Sequence, residues 1–345
     1  MTPTIRTAII GYGVSGKIFH APLLAANPDF EISVIATSDP ERQKQAAQEY
    51  PHATIVPSYR EVLNAADHLD LLIIGTPPQT HFDIARAALE HDLNVVIDKP
   101  FVVHSAQGEE LLDLAAERGL TLTVYQNRRW DGDFLTVKKL LADQALGTVH
   151  TFESRFEWFK PQGMRGWKAE LPPQEGGGIL YDLGTHLIDQ AIELFGPVEK
   201  VQASLRALTD QANAEEDAYL LLHHSAGTQS RLTMSSLNAA AGARFQLAGN
   251  EGAYTSYGLD PQEPQLASGM GPTHAEYGRK PEENWGQLVD NHAPRPVPTL
   301  PGDYPQFYRA LATCLRQAGP IPVDPRDSLS VLRLIESIHH DTAIE

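Results

Sequence analysis

Cys314 is the only cysteine in this chain of 345 residues. A lone thiol excludes an internal disulfide and a cysteine-rich metal site, and it fits a reducing compartment. Basic residues are also scarce: 27 Lys and Arg face 44 Asp and Glu, a formal charge of −17. That balance argues against nucleic acid or an anionic membrane as a partner. No apolar run approaches the roughly 20 residues of a membrane-spanning helix. Gly11 and Gly13 cut the first apolar run short, so no secretory leader is expected. Internal repeats and low-complexity tracts are missing as well. What is present is ordinary globular composition, 42% hydrophobic and 21% charged, expected in the cytoplasm. The length predicts two domains.

Ile5 to Lys17 reads IRTAIIGYGVSGK. The apolar run Ala8 to Ile10 leads straight into Gly11, Gly13 and Gly16, the G-x-G-x-x-G spacing. Gly11 allows the turn out of a strand, Gly13 lets the backbone approach a pyrophosphate, and Gly16 lets the next helix pack on the sheet. The helix predicted over Lys17 to Ala26 would aim its N–H groups and positive dipole end at the phosphates. A dinucleotide is the expected ligand.

Strand-like and helix-like segments then alternate. After the run Ile32 to Ala36, Asp39-Pro40 supplies an N-cap and first helical residue for a helix through Tyr50. Ser58-x-x-Glu61 reads as a capping box. Leu71 to Ile74 and Leu93 to Ile97 are continuous apolar runs, as strands buried on both faces should be. Helices are predicted from Thr80 to about His91 and over Ser105 to Arg118, with a further strand at Leu120 to Tyr125. This alternation predicts a doubly wound parallel sheet.

Beyond residue 125 the pattern changes. Thr151 to Phe159 alternates polar and apolar residues, and similar runs lie near Val201–Ala207, Tyr219–His224, Arg231–Ser236 and Phe245–Ala248. They predict an antiparallel sheet with a helix inserted around Ile179 to Leu194. Pro261 to Pro305 holds nine prolines and five glycines and is predicted as mostly loop. Phe152, Phe156, Trp158 and Phe159 are read as apolar on both faces of their strand. A second subunit is therefore expected on the sheet, in a homodimer or homotetramer.

Thr37 and Ser38 follow the second strand, where an acidic residue would bind the ribose hydroxyl of NAD. With Arg42 one turn into the next helix and Asp39 suited to capping, these residues favour NADP, with NAD as the alternative. Gly75-Thr76-Pro77-Pro78 and Asp98-Lys99-Pro100 fall at strand carboxyl ends, where open α/β sheets bind ligands. There the Lys99 ammonium could stabilise a developing alkoxide; pairing with Asp98 at the surface is the alternative. Gly176, Gly177 and Gly178 would let the chain pass close to a ligand. They precede Asp182 and His186, which at i, i+4 share one helix face and could form an acid–base unit or a plain surface pair. No third ligand with metal spacing accompanies them, so no metal is expected. The His223-His224 and His339-His340 doublets read as structural or exposed.

Together the glycine-rich start, Asp98-Lys99-Pro100 and GGGILYDLGTHLID resemble the Gfo/Idh/MocA oxidoreductases over essentially the whole chain. The family usually carries Glu-Lys-Pro, so Asp98 is a departure. FHAPLL, YQNRRWDGDFLT and YGLDPQE look like the subgroup that contains NADP-linked scyllo-inositol 2-dehydrogenases. The resemblance implies a sugar or polyol dehydrogenase with Lys99, Asp182 and His186 as its catalytic set.

The expected architecture is a Rossmann domain over residues 1–124 and a C-terminal α/β domain with a large open, mainly antiparallel sheet over 125–345. The active site is expected between them. Cofactor contacts are expected from Gly11, Gly13, Val14, Ser15, Gly16, Thr37, Ser38, Arg42, Thr76, Pro77, Gln79, His81, Asp98 and Lys99. Asn127, Arg128 and Trp130 are candidate substrate contacts, with a hinge role for the Arg128-Arg129-Trp130 run as the alternative. In oxidation His186 would take the hydroxyl proton while Lys99 hydrogen-bonds the same oxygen, and Asp182 would orient His186 or hold a neighbouring hydroxyl. The alternative function is a non-catalytic NADP-binding sensor or regulator on the same fold.

Overall fold

The computed structural model describes residues 3–345. The chain forms two compact units, each described by itself. The first runs to Asn127 and also takes in Gln262–Tyr277 and Asp303–Leu329; the second comprises Arg128–Pro261, Gly278–Gly302 and Ser330–Glu345. Of these two later segments, Gln262–Tyr277 lies in the chain between two strands of the second unit's sheet, and Asp303–Leu329 follows its last strand.

The first unit is built on six parallel strands: β1 (Ile5–Ile10), β2 (Phe30–Ala36), β3 (Thr54–Val56), β4 (Leu71–Ile74), β5 (Asn94–Asp98) and β6 (Leu122–Tyr125). Their order is β3-β2-β1-β4-β5-β6, so the winding direction reverses between β1 and β4, the place where such sheets bind dinucleotides. Leu71 to Ile74 and Val95 to Ile97 are wholly buried, which explains their unbroken apolar character. The short β3 has no apolar run of its own and escapes sequence reading. Helix Pro40–Glu49 starts as its sequence requires, with the Asp39 carboxylate accepting from the backbone N–H groups of Glu41 and Arg42.

The second unit carries eight strands: β7 (Val149–Glu157), β8 (Val198–Arg206), β9 (Asp217–His224), β10 (Gln229–Ser235), β11 (Phe245–Gly249), β12 (Ala253–Ser256), β13 (Gly286–Val289) and β14 (Arg295–Val297). Their order is β14-β13-β12-β11-β7-β10-β9-β8. Every pair is antiparallel except β7 with β10.

The stretch from Pro261 to Pro305 is mostly loop, as expected, though it also contains helix Gln262–Ala267 and strands β13 and β14. Pro296 is tolerated because β14 is an edge strand, where a missing N–H breaks no ladder. One expectation needs correction: the aromatic residues of β7 do not cover both faces. Phe152 and Phe156 share one face by the two-residue period, fully buried beside Ser154, and the Phe152 ring lies 5.3 Å from that of Phe195 on helix Thr185–Phe195. The opposite face carries Thr151, Glu153, Arg155 and Glu157, where Glu153 accepts from Arg155 at 2.9 Å and from Arg231 at 3.0 Å. Phe159 lies beyond the end of β7 and is 57% exposed.

Candidate active site

The glycine loop after β1 is shaped by contacts that only glycine permits. Gly11 has φ +93°, and a Cβ there would lie 2.7 Å from the Gly75 carbonyl oxygen. A Cβ on Gly16 would sit 2.0 Å from the Gly11 carbonyl oxygen, so the helix start is pressed onto the strand end. Gly13 differs: a Cβ there would meet only Arg42 Nη1, at 3.5 Å. Its surroundings leave room for a phosphate, with a guanidinium at the rim. Val14 is 64% exposed, unusual for a valine and consistent with a surface that a ligand covers. The chain then forms a π-helical turn, Ser15–His20, before the α-helix Ala21–Ala25. Ser15 Oγ is buried, close against Gly75, so any phosphate contact from Ser15 falls to its backbone N–H.

At the end of β2, Thr37 is buried and Ser38 exposed. Asp39 is occupied by its helix: Oδ1 accepts from Glu41 N at 2.9 Å and Arg42 N at 3.2 Å, and Oδ2 lies 3.5 Å from Arg42 Nε. The loops after β4 and β5 are tied together by His81. Its Nε2 lies 2.8 Å from the Thr76 carbonyl oxygen, and its Nδ1 lies 2.9 Å from that of Pro100 and 3.2 Å from that of Phe101. Burial lowers the His81 pKa. Expected as a cofactor contact, His81 is 1% exposed with both nitrogens facing backbone; it holds Thr76 and Pro100 in place from beneath. Pro77 and Gln79 are exposed at the rim.

Asp98 ends β5, and its Oδ1 accepts from the Lys99 backbone N–H at 2.7 Å. His20 is fully buried near Asp98, and burial pushes its imidazole down to about 4 against a weaker upward pull from that carboxylate. The neutral ring is therefore the form the fold favours. Its stabilisation is complete above the unfolded value near 6.5 and is lost as pH falls toward 4. Between pH 7.5 and 5 the wild type should lose about 2 kcal/mol on this account. Urea unfolding of His20→Gln at both pH values checks this: the variant's pH slope should be shallower by that amount.

In the second unit the helix bearing the expected acid–base pair begins with a π-helical turn, Leu180–Gly184, and continues as the α-helix Thr185–Phe195. Asp182 lies on the wide turn and His186 on the first α-turn, so the simple i, i+4 face is replaced by a locally opened one. Such turns often occur at functional sites. Both residues are buried, at 5% and 4% exposure. The Asp182 Oδ2 accepts from Lys168 Nζ at 2.6 Å, a partner that no spacing rule suggests. The His186 ring meets Phe156 edge-on at 6.3 Å.

Two of the preceding glycines are packed closely against protein atoms. A Cβ on Gly177 would lie 1.9 Å from the Leu171 carbonyl oxygen, and one on Gly178 would lie 2.3 Å from Glu215 Oε1. The buried Glu215 accepts from Leu180 N at 3.0 Å and lies 3.2 Å from His339 Nε2. It caps the start of the helix that carries Asp182.

The matches to known proteins follow this division. Residues 5–126 match the oxidoreductase family with an NAD-binding Rossmann fold, and residues 134–255 match the GFO/IDH/MocA C-terminal domain. The uncharacterized oxidoreductase YdgJ of Escherichia coli (strain K12) is 39% identical, over 97% of this chain and 96% of its own. The chain belongs to the Gfo/Idh/MocA oxidoreductases. Another member, the scyllo-inositol 2-dehydrogenase (NADP(+)) IolW of Bacillus subtilis (strain 168), is 33% identical over 97% of this chain and 92% of its own. A crystal structure of an oxidoreductase from Bacillus cereus superposes with a TM-score of 0.90 at 27% identity, covering 99% of this chain and 97% of that one. As a Gfo/Idh/MocA protein this is an NAD(P)-dependent oxidoreductase acting on CH–OH groups. No helix among the described residues is long and apolar enough to cross a membrane.

For this Gfo/Idh/MocA chain the structure also sorts the candidate substrate residues. Asn127, Arg128 and Arg129 are buried and Trp130 half-buried. Arg129 makes a two-pronged pair with Asp189, at 2.8 and 2.7 Å, and reaches Glu193 at 3.1 Å. Arg128 lies 3.4 Å from Asp131 and stacks over Phe156 at 4.9 Å, on the ring that also meets His186. Arg244 is likewise buried, donating to Ser154 at 2.6 Å and to Gln190 at 2.9 Å. Burial raises the Asp131 carboxyl well above its usual range, against the opposing pull of Arg128.

Proposed function

We propose that this protein transfers a hydride between NADP and a hydroxyl-bearing carbon of a sugar or polyol, an inositol among the candidates. The observation that carries the reading is the placement of Asp182 and His186. Both are buried on one opened helix start, with Asp182 in an ion pair at 2.6 Å. The full-length likeness to IolW supports the substrate class. Arg42 at the rim of Gly13, with Asp39 drawn into its cap, supports NADP.

When bound, the nicotinamide supplies the two-electron acceptor, taking the carbon-bound hydride at C4. The protein's part is proton transfer and orientation. His186 accepts the hydroxyl proton, and Lys99 hydrogen-bonds the same oxygen, stabilising alkoxide character as it develops. Asp182, paired with Lys168, orients His186 or holds a neighbouring hydroxyl. Arg128 and Trp130 are proposed to bind further hydroxyls or the ring face.

NADPH oxidation against a panel of keto-inositols and keto-sugars tests the reading. Turnover on at least one is expected. Tight NADPH binding without turnover on any of them would replace it with a non-catalytic sensor. The proposal includes self-association as a homodimer or homotetramer in the cytoplasm. The sheet face opposite helix Thr185–Phe195 is largely polar, which weakens the case for an apolar contact there, and the support left on it is Tyr219, 40% exposed. Light scattering at micromolar concentration should give two or four times the chain mass of 37.9 kDa; a monomer would refute it.

A further inference from the structure

The first unit contains a buried polar line that ends at the backbone of Lys99. Tyr308, on helix Pro305–Gln317, is fully buried, and its hydroxyl lies 2.6 Å from His20 Nδ1. The other ring nitrogen of His20, Nε2, lies 3.9 Å from Asp98 Oδ2 and is itself buried with no hydrogen-bond partner. The Asp98 carboxylate accepts from the Lys99 backbone N–H through its remaining oxygen at 2.7 Å. Tyr125 packs against the His20 ring with centroids 4.5 Å apart and the planes tilted by 53°, limiting its rotation.

The chemistry of the line has one consistent assignment. Burial holds the Tyr308 phenol well above its usual range, so it keeps its proton, and it holds His20 neutral at pH 7. The buried phenol therefore donates to Nδ1. The single imidazole proton then sits on Nε2, aimed at the Asp98 carboxylate. The reverse tautomer would turn a nitrogen lone pair toward that negative charge. Such outer partners set the orientation of the groups in front of them.

We propose that His20 and Tyr308 are positioning residues for Lys99, acting through the carboxylate of Asp98. This rests on the reading of Lys99 as the residue that hydrogen-bonds the reacting oxygen. The line spans three distant parts of the chain, so the helix Pro305–Gln317 contributes to holding the turn after β5.

Tyr308→Phe removes one hydroxyl without changing the ring, and His20→Leu removes both ring nitrogens. The direct readout is hydrogen exchange of the Lys99 backbone amide in protein selectively labelled with 15N-lysine. In both variants that amide should exchange about ten-fold faster. With NADPH and a keto-inositol as the probe, kcat should fall about five- to ten-fold while KM for NADPH stays within about two-fold, a split that general destabilisation does not produce. Unchanged Lys99 exchange in Tyr308→Phe overturns the proposal, even if His20→Leu folds poorly. Lys99→Ala separates the underlying reading: full turnover in that variant would refute the role of Lys99 itself, while the amide exchange still decides the positioning.

Discussion

His186→Ala should lower kcat by about a hundred- to ten-thousand-fold, the usual cost of losing a general acid–base group. The magnitude follows from placement. His186 is 4% exposed, on the first turn of helix Thr185–Phe195, with Phe156 against its ring. Bulk water cannot easily take over as base at a buried position. Asp182 is a poor substitute because it is engaged with Lys168 at 2.6 Å. NADPH affinity should change little, since His186 is not among the residues proposed to hold the cofactor. The alanine leaves a small cavity, so His186→Gln is the companion variant: it should be equally inactive with unfolding closer to wild type. Near wild-type turnover in both would move the proton-transfer role to Lys99.

Arg42→Ala should weaken NADP binding by about ten-fold and leave NAD nearly untouched. A charge-assisted hydrogen bond is worth roughly 1.5–3 kcal/mol, and the lower end applies because the Arg42 side chain is 51% exposed. A 2′-phosphate needs donors and no free carboxylate nearby. Asp39 directly follows the turn, and its two oxygens are directed to the helix N-terminus and to Arg42 itself, while the other nearby acid, Glu41, lies in the first turn of the helix. Ser38 is exposed, so Ser38→Asp should go further and reverse the preference, repelling the phosphate while accepting from a free ribose hydroxyl. Measuring kcat/KM for both cofactors on one substrate checks the pair. A wild-type ratio favouring NAD would overturn the assignment.

How much of this was legible depends on the distance over which each feature is specified. The strand β4 is four apolar residues buried on both faces, and the run Leu71 to Ile74 says so without a structure. Asp39-Pro40 announces its helix, and the cap forms as read. Gly11 and Gly16 stand where a Cβ would strike backbone, so their spacing carries the loop. Strand β14 was hidden because an edge strand needs little apolar patterning and admits proline, and its neighbour β13 is only four residues long. Period-two reading was misapplied at β7: residues 152, 156 and 158 share one parity, and only Phe159 differs.

The candidate site divides in the same way. Lys99, Asp182 and His186 stood out because short motifs surround them, but the groups that hold them did not. Lys168 precedes Asp182 by 14 positions on a separate short helix, Glu215 reaches Leu180 across 35, and Tyr308 meets His20 across 288. No local pattern encodes such pairs, since each residue alone looks like an ordinary polar side chain. The glycines before Asp182 illustrate the same point: glycine signals close approach, and only the folded chain shows that Glu215 is a neighbour of Gly178. Turns, caps and buried runs are governed by contacts within a few residues, and these were readable from the order of amino acids. Which buried carboxylate faces which cation, and which hydroxyl orients which imidazole, emerged only when packing brought distant segments together, because their energy comes from desolvated neighbours that the chain order does not name.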